Sequence, residues 1–257
     1  MATKTADWLT IQRWSSEELV KREPLFQQSC DAIAYQPSYA IDFGELRPLL
    51  IEHFIDNGVQ YHSCTVSSIQ SGKRCFIPDI SEHFDAVVLA LGAGTANWFP
   101  DLRITLQGGS LLQVRSSETI NHFLSSNGLH LAHHHSGDVV IGSTRWTSPP
   151  PDQIQKQELL HRFKQQFPTI TDVSPGTLWN GIRCIYPSDR LPLCGQLPHC
   201  KNIYVITALG SKGMLWGPLS ARELRNNICY STPISAELSL LRARAEDAWF
   251  SPNINRT

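Results

Sequence analysis

The side chain with the clearest chemical potential is Arg183. It stands between Gly181-Ile182 and Cys184-Ile185-Tyr186, an apolar run in which a solvated cation has little reason to sit. A guanidinium held there suits bidentate capture of a carboxylate, and pairing with an acid of the chain such as Asp189 is the structural alternative. Two glycine runs also invite a ligand. Gly92-x-Gly94 follows the apolar run 85–91, and Leu209-Gly210-Ser211-Lys212-Gly213-Met214 lies between a strand pattern and a helix pattern. The first is not a dinucleotide fingerprint, because Asn97 stands where Gly or Ala is needed for close helix–strand packing. Trp98-Phe99-Pro100 argues against a helix there as well, which leaves either close backbone approach to a ligand or a plain tight turn. In the second run, backbone N–H groups and a helix N-terminus would face an electron-rich ligand, with a flexible connector as the alternative. His133, His134 and His135 alternate across strand faces and cannot form an i, i+4 metal pair, so no metal site is expected. No G-x-S-x-G, P-loop or H-E-x-x-H occurs, which gives hydrolase, NTPase and zincin readings no support.

These residues need elements to hold them. Ser15 with Glu18, and Asp42 with Glu45, have capping-box spacing. After Asp42, the residues Leu46, Leu49, Leu50 and Phe54 recur at helical spacing until Asn57-Gly58, with Pro48 leaving the start open. Short strands are expected at 59–62 and 65–69, then a buried strand at 85–91 that offers its carboxyl edge at Gly92. The texture from 104 to 147 is β, with alternation at 111–115, 128–133 and 139–144. A helix follows at 152–167, with Leu160, Phe163 and Phe167 on one face. Residues 183–198, with three prolines, read as loop, and 203–208 as a strand. A glycine-rich turn at 210–217 leads to a helix at 218–228 that has Pro218 at its first position. A last amphipathic helix is expected at 235–249.

The 257 residues are 41% apolar and 18% charged, a composition that folds and excludes disorder. With 22 basic and 23 acidic residues the net charge is −1, which carries no general nucleic-acid footprint and does not exclude a folded RNA. The run 86–96 is far short of the roughly 20 apolar residues that span a bilayer, and residues 1–9 lack a signal-peptide core. The expected compartment is the cytoplasm. Seven scattered cysteines without a C-x-x-C pair read as reduced thiols in or near the core.

Taken in order, several stretches resemble the FAD-dependent amine and amino-acid oxidoreductases, the D-amino-acid oxidase and glycine oxidase group. They are Ala40-Ile-Asp-Phe-Gly-Glu-Leu-Arg47, Asp85-Ala-Val-Val-Leu-Ala-Leu-Gly-Ala-Gly94 and Gly109-Ser-Leu-Leu112. Further along come Gly137-Asp-Val-Val-Ile-Gly-Ser-Thr144, Trp179-Asn-Gly-Ile-Arg183, Ser188-Asp-Arg-Leu-Pro-Leu-Cys-Gly195 and Ile203-Tyr-Val-Ile-Thr-Ala-Leu-Gly-Ser-Lys-Gly213. The resemblance implies bound FAD, with Gly92 and Gly94 against it and Val66 on a strand beside its adenine. It places Gly210, Ser211, Lys212, Gly213 and Met214 at the flavin ring. Arg183 falls where members grip the substrate carboxylate, and His130 where a pocket tyrosine is common. The family's opening strand, G-x-G-x-x-G turn and helix have no counterpart, which implies a fragment, or a shortened homologue that a separate N-terminal FAD-binding segment would complement. Gly109-Ser110 replaces the usual Gly-Gln pair, Gly108 an arginine, and His133 a proline.

The implied fold is mixed α/β: a truncated FAD/NAD(P)-binding-type layer interleaved with an antiparallel-sheet substrate domain. The expected segments are 1–39 (substrate), 40–103 (FAD), 104–180 (substrate sheet), 181–229 (FAD, with the flavin loop) and 230–257 (C-terminal helix). The implied chemistry is hydride transfer from an amine-bearing carbon of a small amino acid or N-substituted glycine to flavin. The run 209–221 is also similar to the FAD domain of the bifunctional enzymes that mature a wobble uridine of tRNA, which makes tRNA an alternative partner. A non-catalytic homologue is the third reading.

Overall fold

The computed structural model describes residues 9–24, 26, 30–116, 120–134, 136–168, 170, 172–243 and 249–256. The expected signal-free stretch 1–8 and His135 lie outside them. In chain order the strands are β1 (Thr10–Trp14), β2 (Ala32–Gln36), β3 (Ile69–Ser71), β4 (Cys75–Ile77), β5 (Glu82–Phe84), β6 (Val87–Leu89) and β7 (Thr105–Ser116). They continue with β8 (Leu124–Ser126), β9 (Leu129–His133), β10 (Val139–Gly142), β11 (Val173–Ile185), β12 (Leu193–Gln196), β13 (Ile203–Thr207) and β14 (Ile254–Arg256). The helices are α1 (Ser16–Arg22), α2 (Phe43–Asp56), α3 (Thr95–Trp98), α4 (Asp152–Gln166) and α5 (Gly213–Tyr230). The chain forms two compact units, one of residues 1–61 and 108–181, the other of 62–107 and 182–257.

The first unit is built on a five-stranded sheet in the order β11-β7-β10-β9-β8, with β1 and β2 as a separate antiparallel pair. Alternation along the strands sends Leu112, Leu131 and Ile141 to one face in a single cross-strand row with Leu124. That face is closed by α4, whose Gln155, Leu159 and Phe163 recur every four residues, with Phe167 one turn further on. Leu159, rather than Leu160, is the fully buried member of the pair. Asn127 and Gly128 both have positive φ (49° and 71°), which suits the two-residue turn between β8 and β9. Both expected helix starts form. Ser15 Oγ accepts the Glu18 N–H, and an Asp42 carboxylate oxygen accepts the Gly44 N–H at 2.7 Å. Pro48 is accommodated inside α2.

In the second unit β13 pairs with β6 in parallel and with β12 antiparallel, and β14, β3, β4 and β5 make a separate sheet. Ile69, Cys75, Phe99, Leu193, Ile203 and Trp249 are buried together. Several local expectations are corrected. No strand forms at 59–62; after α2 the Val59 N–H returns to the Phe54 carbonyl, and no described strand lies alongside. The buried strand of 85–91 is ordered only as β6, and of 65–69 only Ile69 enters a strand. Residues 183–198 are not a loop, because they contain the end of β11 and all of β12. Pro218 lies inside α5 rather than at its start: the helix begins at Gly213 and includes Gly217, and both glycines lie beside Leu209. The helix expected at 235–249 is replaced, among the described residues, by a single 3-10 turn at Leu240–Arg242. The Cys194 N–H donates to the Leu238 carbonyl at 2.7 Å, and Ser239 bridges to Cys194, so this stretch runs along β12 and buries both Leu238 and Leu240.

Four cysteines, Cys75, Cys184, Cys194 and Cys200, are buried, while Cys30, Cys64 and Cys229 are exposed. Burial, helped by the Glu223 charge, pushes the Cys194 thiol up to about 12. Iodoacetamide at pH 8 is therefore expected to label the three exposed thiols in the native protein and all seven only after unfolding, as read by intact mass. Native labelling of Cys194 would contradict this packing.

Candidate active site

The parallel pair β6 and β13 organises the site. Val87, Val88 and Leu89 lie opposite Ile203, Tyr204 and Val205, so both strands end on the same edge. Each then enters a glycine turn with a left-handed residue, Gly92 at φ 55° after β6 and Gly210 at φ 58° after β13. A Cβ at Gly92 would meet nothing within 4 Å, so that glycine serves backbone conformation and access rather than packing. The carboxyl edge of parallel strands is where α/β folds present backbone to ligands. The second turn leads through Gly210–Lys212 into α5, whose N-terminal N–H groups carry partial positive charge. Ser211, Lys212 and Met214 of this turn are exposed and Gly213 is half-buried.

Thr207, at the end of β13, ties the parts together. Its Oγ1 lies 2.8 Å from Thr95 Oγ1, directly after Gly94, and 3.5 Å from Cys184 Sγ on β11. Ile185 bridges to Leu209, and a Cβ on Gly210 would sit 3.8 Å from Ile185 Cγ1. Arg183 lies on the same side of β11 as Ile185 by strand alternation, opposite Cys184. The two turns and the end of β11, the strand that carries Arg183, are thus held by one set of contacts within the second unit. Arg183 is half-buried and makes no hydrogen bond or ion pair among the described residues.

The alternative partner, Asp189, is taken. It pairs with Arg242, whose other guanidinium nitrogen donates to the Pro192 carbonyl. Burial raises the Asp189 carboxyl, but the Leu191 N–H and the Arg242 guanidinium together hold it below the usual carboxylate range. A depressed folded-state value stabilises above the unfolded value and is lost as pH falls through the folded one. Unfolding midpoints measured below pH 4 should therefore fall less steeply with acid in Asp189→Asn than in the wild type.

The remaining expected site residues divide. Val66 is half-buried against the second unit's core but belongs to no strand. Its neighbour Ser67 donates its N–H (2.9 Å) and Oγ–H (2.8 Å) to the Asp79 carboxylate, which satisfies the backbone without a ladder and holds that carboxyl low. His130 belongs to the first unit. It sits on the outward face of β9 in a row with Gly142 and Ser125, and its ring stacks on Phe123 with centroids 6.3 Å apart. His134 pairs with Asp42 and stacks on Trp179. No three His, Cys, Asp or Glu residues converge on a metal-sized site among the described residues. Sequence reading missed Thr95 and Thr207, although a threonine directly after Gly-x-Gly and another closing a strand were available signals. It also missed the buried Ser110, whose Oγ contacts Gln155, Asn180 (2.7 Å) and Trp146 Nε1 (3.1 Å).

A parallel strand pair with a left-handed glycine turn at each carboxyl end, in a chain that also carries an antiparallel sheet unit, defines a mixed α/β protein that can present backbone to a ligand group at that edge. The open space at Gly92 and the α5 N-terminus suit such a group. The chain belongs to the FAD dependent oxidoreductase (DAO) family, whose profile matches residues 3–226. FAD is accordingly its cofactor. Glycine oxidase from Geobacillus kaustophilus is similar over 90% of this chain and 66% of its own, with a TM-score of 0.76 and 22% identity. Iminodiacetate oxidase from Chelativorans sp. BNC1 matches 90% of this chain and 67% of its own, with a TM-score of 0.73 and 19% identity. The tRNA 5-methylaminomethyl-2-thiouridine biosynthesis bifunctional protein MnmC of Maricaulis maris is 26% identical over 153 residues, 59% of this chain. The chain spans a quarter of that relative's length, since the match covers 25% of it. No described helix is long and apolar enough to cross a membrane.

Proposed function

We propose that the protein oxidises the C–N bond of an amine carrying a carboxylate, a small amino acid or an N-substituted glycine. The observation that carries this reading is Arg183, half-buried and with no side-chain partner among the described residues, on the strand whose next two residues, Cys184 and Ile185, contact Thr207 and bridge to Leu209. Gly92, Gly94, Val66 and the 210–214 turn would hold FAD, which supplies a two-electron acceptor when bound. Arg183 binds the substrate carboxylate through two charge-assisted hydrogen bonds and so fixes the orientation of the adjacent C–H bond. The amine reacts as the free base, which requires no protein residue to remove a proton. Similarity to glycine oxidase and iminodiacetate oxidase supports a glycine-type substrate.

The similarity to MnmC favours a second reading, in which the amine is attached to tRNA and the same arginine serves its carboxylate. Both readings place the protein in the cytoplasm, and both allow a complementing FAD-binding segment as partner. The discriminating experiment is anaerobic titration of the FAD-loaded protein with glycine, sarcosine, iminodiacetate and a D-amino acid. Bleaching of flavin absorbance by one of them supports the small-molecule reading. Inertness to all four, with bleaching by tRNA bearing a carboxymethylamino group, supports the second.

A further inference from the structure

The acid nearest Arg183 along the chain is Asp189. The Arg190 N–H returns to the Tyr186 carbonyl at 2.9 Å, so the chain turns back directly after β11 and carries Asp189 at the end of that strand. A carboxylate placed there would have a half-buried guanidinium as its natural partner. Arg242 intervenes. One of its terminal nitrogens contacts the Asp189 carboxylate, and the other donates to the Pro192 carbonyl. Its own carbonyl accepts the Tyr186 hydroxyl at 3.3 Å, and its guanidinium lies 5.8 Å from the centre of the Tyr186 ring. The side chain of Arg242 is 18% exposed and that of Asp189 36%, so this pair is screened less than one at the open surface. The Leu191 N–H satisfies Asp189 Oδ1 at 3.0 Å, which leaves Oδ2 as the oxygen over which two guanidinium groups would compete. Cys184 and Tyr186 are buried in one cluster, whereas Arg183, by strand alternation, projects from the other side of β11. Arg242 thus draws the acid to the side of the strand that Arg183 does not use.

We propose that Arg242 is a positioning residue for substrate binding: it holds Asp189 on the Tyr186 side and so keeps the Arg183 guanidinium open to a substrate carboxylate. The inference rests on the reading of Arg183 as the carboxylate-binding group. Removing the Arg242 charge leaves a partly buried carboxylate without its counterion, which is costly until it finds another cation. Arg190 is exposed, and a pair with it would be screened by solvent. Arg183 is half-buried, so pairing there is the more favourable, and it would close the seat of the substrate carboxylate. Arg242 does not touch the substrate; its effect passes entirely through the acid. A role confined to holding the fold would not be reversed by deleting the Asp189 charge.

The test follows modification of Arg183 by phenylglyoxal, read by peptide mass, in the FAD-loaded protein held anaerobically with and without iminodiacetate. In the wild type Arg183 should react, and iminodiacetate should protect it. Arg242→Gln, whose amide can still donate to the Pro192 carbonyl, should slow that reaction and raise the iminodiacetate concentration for half-protection, each by about tenfold. Adding Asp189→Asn to Arg242→Gln should restore both to within about threefold of the wild type. Arg242→Lys keeps the charge and should leave both unchanged, so it tests the proposal even where Arg242→Gln does not fold. Unchanged Arg183 reactivity in a folded Arg242→Gln, a loss that Asp189→Asn does not reverse, or the same loss in Arg242→Lys would each overturn the proposal. Should iminodiacetate fail to protect wild-type Arg183 while the reactivity changes occur as expected, the guarding of Arg183 by Arg242 stands and the carboxylate reading falls.

Discussion

Arg183→Met in the FAD-loaded protein is expected to lower kcat/KM for a carboxylate-bearing amine by about 10²- to 10³-fold, with bound flavin unchanged. The size follows from two charge-assisted hydrogen bonds, which together contribute about 3–4 kcal/mol when lost from a partly desolvated site. Methionine keeps most of the apolar stem, so the loss reads the guanidinium. Arg183→Lys restores charge without the planar fork, and its kcat/KM should fall between the two. The loss should appear mainly in KM if the carboxylate is held equally in ground and transition states, and in kcat if alignment of the C–H bond is its main service. A change below about fivefold would remove Arg183 from substrate binding.

The largest expected loss of stability comes from one methyl group. A Cβ on Gly108 would stand 1.9 Å from two carbons of the Trp146 ring, so the indole must move. The two residues also exchange backbone hydrogen bonds of 2.8 and 3.0 Å, which keep the strand from giving way. The Trp146 Nε1–H donates to the buried Ser110 Oγ at 3.1 Å, and Ser110 in turn contacts Gln155 and Asn180. Displacing the ring therefore breaks into a buried polar network as well as a tight contact. Gly108→Ala should cost about 3 kcal/mol, seen as a fall of about 10 °C in the unfolding midpoint. Gly181→Ala is the control, because nothing lies within 4 Å of its Cβ position, and it should change stability by less than about 0.5 kcal/mol. Equal behaviour of the two variants would contradict the packing described.

Local signals in the sequence were reliable where the cause is local. Ser15 and Asp42 start their helices because each side chain reaches an N–H two or three residues on. The antiparallel texture of 104–147 and the helix of 152–167 were legible because one buried face imposes a period. What misled was tertiary. Prolines at 187, 192 and 198 made 183–198 read as loop, whereas β12 lies between two of them and pairs with β13. The 235–249 pattern fits an amphipathic helix, but Leu238 and Leu240 are both drawn inward by the edge of β12. At the site, types and spacing marked the glycine turns and Arg183. They did not reveal which acid Arg242 would occupy, and it is that pairing which leaves Arg183 without Asp189.

The hydroxyl of Thr207 has one hydrogen to give and lone pairs to receive, and it stands between Thr95 and Cys184. Donation toward one neighbour obliges it to accept from the other, so the three groups form a small chain with a direction. Reversing that direction moves protons and leaves heavy atoms where they are. The two bends and the strand bearing the guanidinium are in this way geared together, and wear at any one of them is felt by the other two.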